Sequence, residues 1–247
     1  MDKIPQITLL FWLMKIVATT MGEMFGDYLS MSLNLGYRVS FGITGSLFLL
    51  AMFFYSKVVK GYNALLFWLL IISTTTVGTE ISDMIDRTFH LGYLKGSLLL
   101  FSGLFIVLGL WYAKYRNLHI RPINDPFKEY LFWTAVLFSN SLGTAFGDFL
   151  TDNMGLHFLS ASMLTLTIIG ITALLHFLIK GYDDFLFWIA FIFTRPFGAT
   201  FGDFLTKPNG GLGLDRLSAS LTALTIFVLL PSIEHIVFLR RKNEASV

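Results

Sequence analysis

Four aspartates recur at one spacing along this chain, and a carboxyl group set in apolar sequence can bind a proton or a hard cation. Asp27, Asp83, Asp148 and Asp203 each lie fifteen residues after the tryptophan of a Phe-Trp pair, at Trp12, Trp68, Trp133 and Trp188. Ten residues after each tryptophan stands a glycine, Gly22, Gly78, Gly143 or Gly198, and four further on a second small residue, Gly26, Ser82, Gly147 or Gly202. The offsets hold in all four copies without insertion or deletion, which makes the segment an internal repeat.

Around each aspartate runs a ladder of positions seven, eleven, fifteen and eighteen residues past the tryptophan. The first copy gives Thr19, Glu23, Asp27 and Ser30, the second Thr75, Thr79, Asp83 and Asp86. The third gives Asn140, Thr144, Asp148 and Thr151, the fourth Arg195, Ala199, Asp203 and Thr206. Steps of three and four place such residues on one helical face, so bundling the four helices makes a polar axis. With Glu23 and Glu80 beside the aspartates, the set is oxygen-rich and suits protons, sodium, magnesium, calcium or manganese. Asp27, Asp83, Asp148 and Asp203 are the candidate metal ligands. The alternative is that each aspartate caps a turn or bonds a neighbouring helix.

Two positions break the pattern. Glu80, Asp83 and Asp86 crowd the second copy next to Arg87, reading either as a cation site or as a network partly neutralised by the arginine. Arg195, followed by Pro196, takes a place where the other copies carry threonine or asparagine. It reads as a buried salt bridge to Glu23, Glu80 or a repeat aspartate, or as a charge that gates the axis or binds an anionic substrate.

The elements that must position these groups are membrane helices. Of 247 residues, 55% are apolar, 16% aromatic and only 14% charged, against about 25% charged in a soluble domain. A bilayer span needs about 20 mostly apolar residues, and eight stretches qualify: 5–26, 39–59, 64–81, 94–113, 129–150, 156–179, 185–205 and 217–239. The expected fold is all-α, a polytopic membrane protein with eight transmembrane helices arranged as four parallel helical hairpins. The chain is one membrane domain, 1–247, with repeats near 5–61, 62–117, 127–181 and 182–239. Within each odd helix the glycine pairs form a small-xxx-small seam that lets backbones touch. Gly22, Gly26, Gly78, Gly143, Gly147, Gly198 and Gly202 are therefore packing residues.

Eleven lysines and arginines gather at the termini and in the loops between repeats, against five in the turns within repeats, Arg38, Arg87, Lys95, Lys207 and Arg216. That asymmetry puts both termini in the cytoplasm. The net charge of +2, with no basic run beyond Arg240-Arg241-Lys242, gives no sign of a nucleic-acid partner. Absence of cysteine removes disulfides and thiolate chemistry. Phe-Trp pairs at the start of each odd helix read as an aromatic belt at the inner interface. His90, His157, His176 and His235 share no repeat offset, which argues against a haem ligand pair. The insertion Pro208-Asn209-Gly210-Gly211-Leu212-Gly213 is either a gate or a tolerated loop.

On the four copies of Phe-Trp, glycine and Gly-Asp, the sequence resembles a family of bacterial integral membrane proteins built from four tandem two-helix repeats of unknown function, with Ser82 departing from the glycine of the other copies. The resemblance spans nearly the whole chain and implies an inner-membrane protein of eight helices; it brings no activity. Phe-Gly-Asp-Phe is also similar to the Gly-x-Gly-Asp segment of intramembrane aspartyl proteases. Ala145 and Thr200 stand where the first glycine should be and Pro-Ala-Leu is missing, so no enzyme is expected. The leading expectation is a transporter or channel for a small cation, proton-coupled or carrying a hard divalent ion such as manganese, with Arg195 as gate or counter-charge. The alternative is a non-catalytic scaffold that holds a lipid, quinone or haem. Beyond the lipid bilayer and the cation, small residues exposed on even helices would support a homodimer.

Overall fold

The computed structural model describes residues 3–123 and 125–244, with side chains described through 231. Eight helices follow one another: α1 (Leu9–Asp27), α2 (Gly36–Val58), α3 (Ala64–Asp83), α4 (Tyr93–Tyr115), α5 (Pro126–Asp148), α6 (Phe158–Leu178), α7 (Asp183–Thr206) and α8 (Arg216–Glu244). There is no strand among the described residues. Among the described residues six segments are long and apolar enough to cross a membrane: Leu9–Ser32, Gly36–Val58, Ala64–Thr88, Tyr93–Tyr115, Phe158–Leu178 and Asp183–Thr206. Helix α5 falls short because Lys128, Glu129, Ser139, Asn140, Ser141 and Thr144 dilute its apolar content, and the part of α8 whose side chains are described, Arg216–Pro231, is apolar. Side chains of His235 and of Arg240-Arg241-Lys242 lie outside the described residues.

Starts of the odd helices are written locally. The first N–H groups of a helix have no intrahelical acceptor, and a short polar side chain supplies one. Thr8 accepts from the Phe11 amide at 3.3 Å, Asn63 from Leu66 at 3.0 Å and Asp125 from Phe127 at 3.1 Å. Helix α7 instead opens with Asp183 and Asp184 in its first turn, where carboxylates favour the positive end of the helix dipole.

Odd helices end in a way the spacing did not foretell. Immediately after Asp27, Asp83 and Asp148 the chain widens into a π turn, at Tyr28–Ser32, Met84–Thr88 and Phe149–Asn153. The closing bonds there span five residues: Leu33 N to Tyr28 O, Phe89 N to Met84 O and Met154 N to Phe149 O, at 2.8 to 3.0 Å. The fourth copy has no such turn, since Pro208 disfavours helix at Lys207. Its insertion is tied back to the end of α7 by Leu212 N to Phe204 O at 2.7 Å and Leu214 N to Leu205 O at 2.9 Å.

Helices α1, α3, α5 and α7 form a closed ring, each touching its two odd neighbours, with α1 against α7 completing it. The even helices stand outside. Their partners correct the hairpin expectation: α2 packs mainly on α3, α4 on α5, α6 on α7 and α8 on α1. Each repeat thus lays its second helix on the first helix of the next repeat, and the last closes on the first. Outward faces of α2, α4 and α6 expose Leu47, Phe53, Phe101, Phe105, Ile171 and Phe177, an apolar surface suited to lipid.

The ring contacts follow the register of the repeat. A Cβ at Gly22 would overlap Thr75, one at Gly78 would meet Asn140 at 3.0 Å, one at Gly143 would overlap Arg195, and one at Gly198 would overlap Thr19. In every case the first glycine receives the seventh-position residue of the next odd helix. The second small residue repeats the rule four residues later: Gly26 faces Thr79, Gly147 faces Ala199 and Gly202 faces Glu23. Glycine is needed because the neighbour's ladder occupies the space of a side chain, and by that contact the polar ladders line the inside of the ring.

The Phe-Trp pairs obey the same cycle and correct the belt reading. Phe11 lies 5.5 Å from Trp68, Phe67 5.7 Å from Trp133, Phe132 6.3 Å from Trp188 and Phe187 5.6 Å from Trp12 between ring centroids. The four phenylalanines, Trp68, Trp133 and Trp188 are buried in the core. Aromatic packing this dense rewards burial, and the rings close one end of the bundle from within.

Candidate functional site

The polar axis has three levels. Nearest the aromatic end, Lys15 of α1 is wholly buried; its Nζ donates to Asn140 Oδ1 of α5 at 3.1 Å and stands 4.2 Å from the Phe191 ring centroid of α7. Asn140 Nδ2 in turn donates to Thr74 Oγ1 of α3 at 3.0 Å. All four odd helices meet at this level.

One level further, Arg195 decides the middle of the ring. The guanidinium is 0% exposed; Nη2 donates to Glu23 Oε2 at 2.8 Å, to Thr75 O at 3.3 Å and to Thr79 Oγ1, and Nη1 to Thr19 O at 3.4 Å. Glu23 Oε2 also accepts from Thr79 Oγ1 and Thr144 Oγ1, both at 3.3 Å. Of the partners open for Arg195 in a salt bridge, the one present is Glu23. The bridge joins α7, α1, α3 and α5 across the axis. Pro196 leaves α7 continuous from Asp183 to Thr206, and the absence of a side chain at Gly143 makes room for the arginine stem.

At the far end the four register aspartates are all buried, and each faces a cation. Arg87 bridges two of them, Nε to Asp83 Oδ1 at 3.2 Å and Nη2 to Asp148 Oδ2 at 3.0 Å. Lys207 reaches Asp203 Oδ2 at 3.2 Å, and Arg216 Nε lies 3.6 Å from Asp27 Oδ2. Arg87 was legible as a neutralising neighbour; Lys207 and Arg216 were not read as partners. The signal for Lys207 was there, because Asp203 and Lys207 stand four apart just as Asp83 and Arg87 do.

Two further buried acids, Glu80 and Asp86, have no ion pair among the described residues. Asp86 takes a hydrogen bond from Ser82 Oγ at 3.4 Å, its other oxygen unpartnered, and lies where a Cβ at Gly96 would be. Glu80 is fully buried, and neither carboxyl oxygen has a hydrogen-bond partner. Among the described residues, no three aspartates, glutamates or histidines converge closely enough to hold a metal ion. The axis brings together Glu23, Arg195 and the threonine ladder, spreads the aspartates over four corners, and leaves Glu80 apart. His119 and His176 pair with Asp184 and Asp183 at the start of α7, away from this axis.

A ring of apolar helices with lipid-suited outer faces and an ion-paired interior defines a membrane protein of tandem helical repeats. By sequence the chain belongs to the family described as Repeat of Unknown Function (DUF347), matched four times at residues 10–60, 66–117, 131–182 and 186–235. No curated protein and no solved structure matches the chain.

Proposed function

We propose that this protein moves a small cation across the membrane, with the carboxylates of the odd helices along the route. In this reading all eight helices cross the bilayer and every repeat has the same orientation. The charge asymmetry of the loops supports a cytoplasmic position for both termini. The observation that carries the proposal is the closed ring of α1, α3, α5 and α7, which turns Glu23, Asp27, Asp83, Asp148 and Asp203 inward along one axis while lipid-type surface stays outside. Charges inside a membrane bundle are expensive and mark ion pathways. The arrangement corresponds to a closed state: the aromatic layer seals one end, Arg195 with Glu23 spans the middle, and Arg87, Lys207 and Arg216 hold the far carboxylates. Opening means exchanging these pairs for the passing cation, a population shift between two packings of the ring.

The geometry narrows the cation. A divalent ion asks for six to eight oxygen ligands with several charges among them, and the register aspartates are already ion-paired, Asp83 and Asp148 through a shared Arg87, with no three acids converging on one point among the described residues. A proton or a monovalent ion needs less, so the manganese expectation gives way to the monovalent class. Flux in proteoliposomes under proton, sodium and potassium gradients tests the proposal, comparing wild type with a folded Asp148→Asn, Asp203→Asn variant. Equal flux in the two would remove the carboxylates from the route.

One observation favours the second reading, a non-catalytic scaffold: each register aspartate already has a cationic partner. Under that reading correctly inserted wild type carries no ion in any gradient, and a lipid, quinone or haem accompanies the purified protein in stoichiometric amount.

A further inference from the structure

Glu80 has no structural role that its neighbours in register would share. It lies twelve residues past Trp68, and the same position holds Met24, Ala145 and Thr200 in the other copies. An apolar side chain or a hydroxyl therefore suffices to pack this place. In the fourth copy the position is directed at the even helix, since Ser162 Oγ of α6 donates to Thr200 Oγ1 at 3.0 Å. Because α2 packs on α3 as α6 packs on α7, the register directs Glu80 toward α2, away from the axis where Glu23 is held.

The surroundings supply no compensation. Glu80 is 0% exposed, both of its oxygens lack a hydrogen-bond partner, and it has no ion pair among the described residues. Helix α2 buries Ser40 and Thr44 on the side packed inward, and Ser40 Oγ is also unpartnered. The charged groups in electrostatic reach are Asp27 and Glu23 of α1, both acids already engaged with arginines. A buried charge persists only with a partner.

We infer that Glu80, buried on α3 on the side packed against α2, is the point inside the membrane where the transported cation is held, and that this cation is a proton or an alkali ion. The inference rests on the transporter reading. One carboxyl can hold a proton or share a monovalent ion, and it lacks the ligand number of a divalent site. Glu80 has no bond to Arg195, so a cation held there leaves the bridge between Arg195 and Glu23 in place.

Dicyclohexylcarbodiimide, an apolar reagent that converts membrane-embedded carboxylic acids to stable N-acylureas, gives the test. The full chain in proteoliposomes is treated in choline buffer, with and without added sodium or potassium, and the adduct is mapped by peptide mass spectrometry. The expected result is one adduct on Glu80, absent from Glu80→Gln. Adduct formation indifferent to alkali ions identifies the proton; protection by sodium or potassium identifies that ion. No adduct on Glu80 in any buffer, or an adduct confined to another carboxyl, overturns the inference. Flux without an adduct leaves the transporter and removes Glu80, whereas an adduct without flux removes the transporter and leaves a carboxyl that binds cations.

Discussion

Glu23 and Glu80 are two buried glutamates on neighbouring helices of the same ring, at the eleventh and twelfth positions of their repeats. One register step turns a side chain by about 100° around a helix. At the eleventh position Glu23 meets Arg195, Thr79 and Thr144; at the twelfth Glu80 meets no donor. The same chemical group is thus a fastener in one place and an uncompensated acid in the other. Direction around the helix decides which, and depth in the membrane does not. The first is compensated where it stands; the second is compensated by nothing among the described residues.

Breaking the fastener should have the largest effect. Arg195→Met strands Glu23 in a buried site, and loss of one partner of a buried ion pair costs about 3–5 kcal/mol. The expected outcome is loss of most folded protein in detergent, or a steep fall in its unfolding temperature. Adding Glu23→Met should restore much of the loss, because a buried pair replaced by apolar groups is often close to neutral. If the double variant is no better than the single one, the pair is not the unit that holds the axis.

The glycine seam comes next. Gly143→Leu drives a side chain into the stem of Arg195, while Gly42→Leu adds one where a Cβ meets nothing within 4 Å. Overpacking of this kind costs about 1–3 kcal/mol, so the first variant should lower the unfolding temperature and the second leave it in place. Comparable losses in both would show that the seam does not confine Arg195.

Much of this was legible in the sequence. Fixed offsets from Trp to Gly to Asp gave the repeat, the helices and the inward polar face, because small-xxx-small spacing and ladder spacing are local properties of one helix. Ring closure was not legible, since it depends on which helix meets which. Nothing in the residues around Gly198 says that its neighbour is Thr19, at the other end of the chain. The Phe-Trp pairs misled for a related reason: an aromatic at a helix start fits an interfacial belt as well as a buried cluster, and only Phe187 against Trp12 distinguishes the two. The π turns after Asp27, Asp83 and Asp148 were not read from the spacing either.

A smaller effect tests the level of the aspartates. Arg87→Met leaves Asp83 and Asp148 without their shared cation, yet the Arg87 side chain is 25% exposed, so water relieves part of the cost. A loss of about 1–2 kcal/mol is expected, below that of Arg195→Met. Adding Asp148→Asn should recover part of it. An effect as large as that of Arg195→Met would mean that the far end is as dry as the middle.

The smallest change in stability belongs to Glu80, and it sharpens the comparison most. Glu80→Met copies the residue that the first repeat carries at this register, Met24. Removing a buried polar group that has no partner is near neutral or stabilising. The unfolding free energy of Glu80→Met should therefore stay within about 0.5 kcal/mol of wild type or rise, while that of Glu23→Met, which strands Arg195, falls by about 3 kcal/mol or more. Transport should reverse the ranking in one respect: Glu80→Met abolishes flux in a fully folded protein. A Glu80→Met protein that is strongly destabilised would show that the carboxyl has a structural partner after all. One that is stable and still conducts would separate Glu80 from the route of the cation.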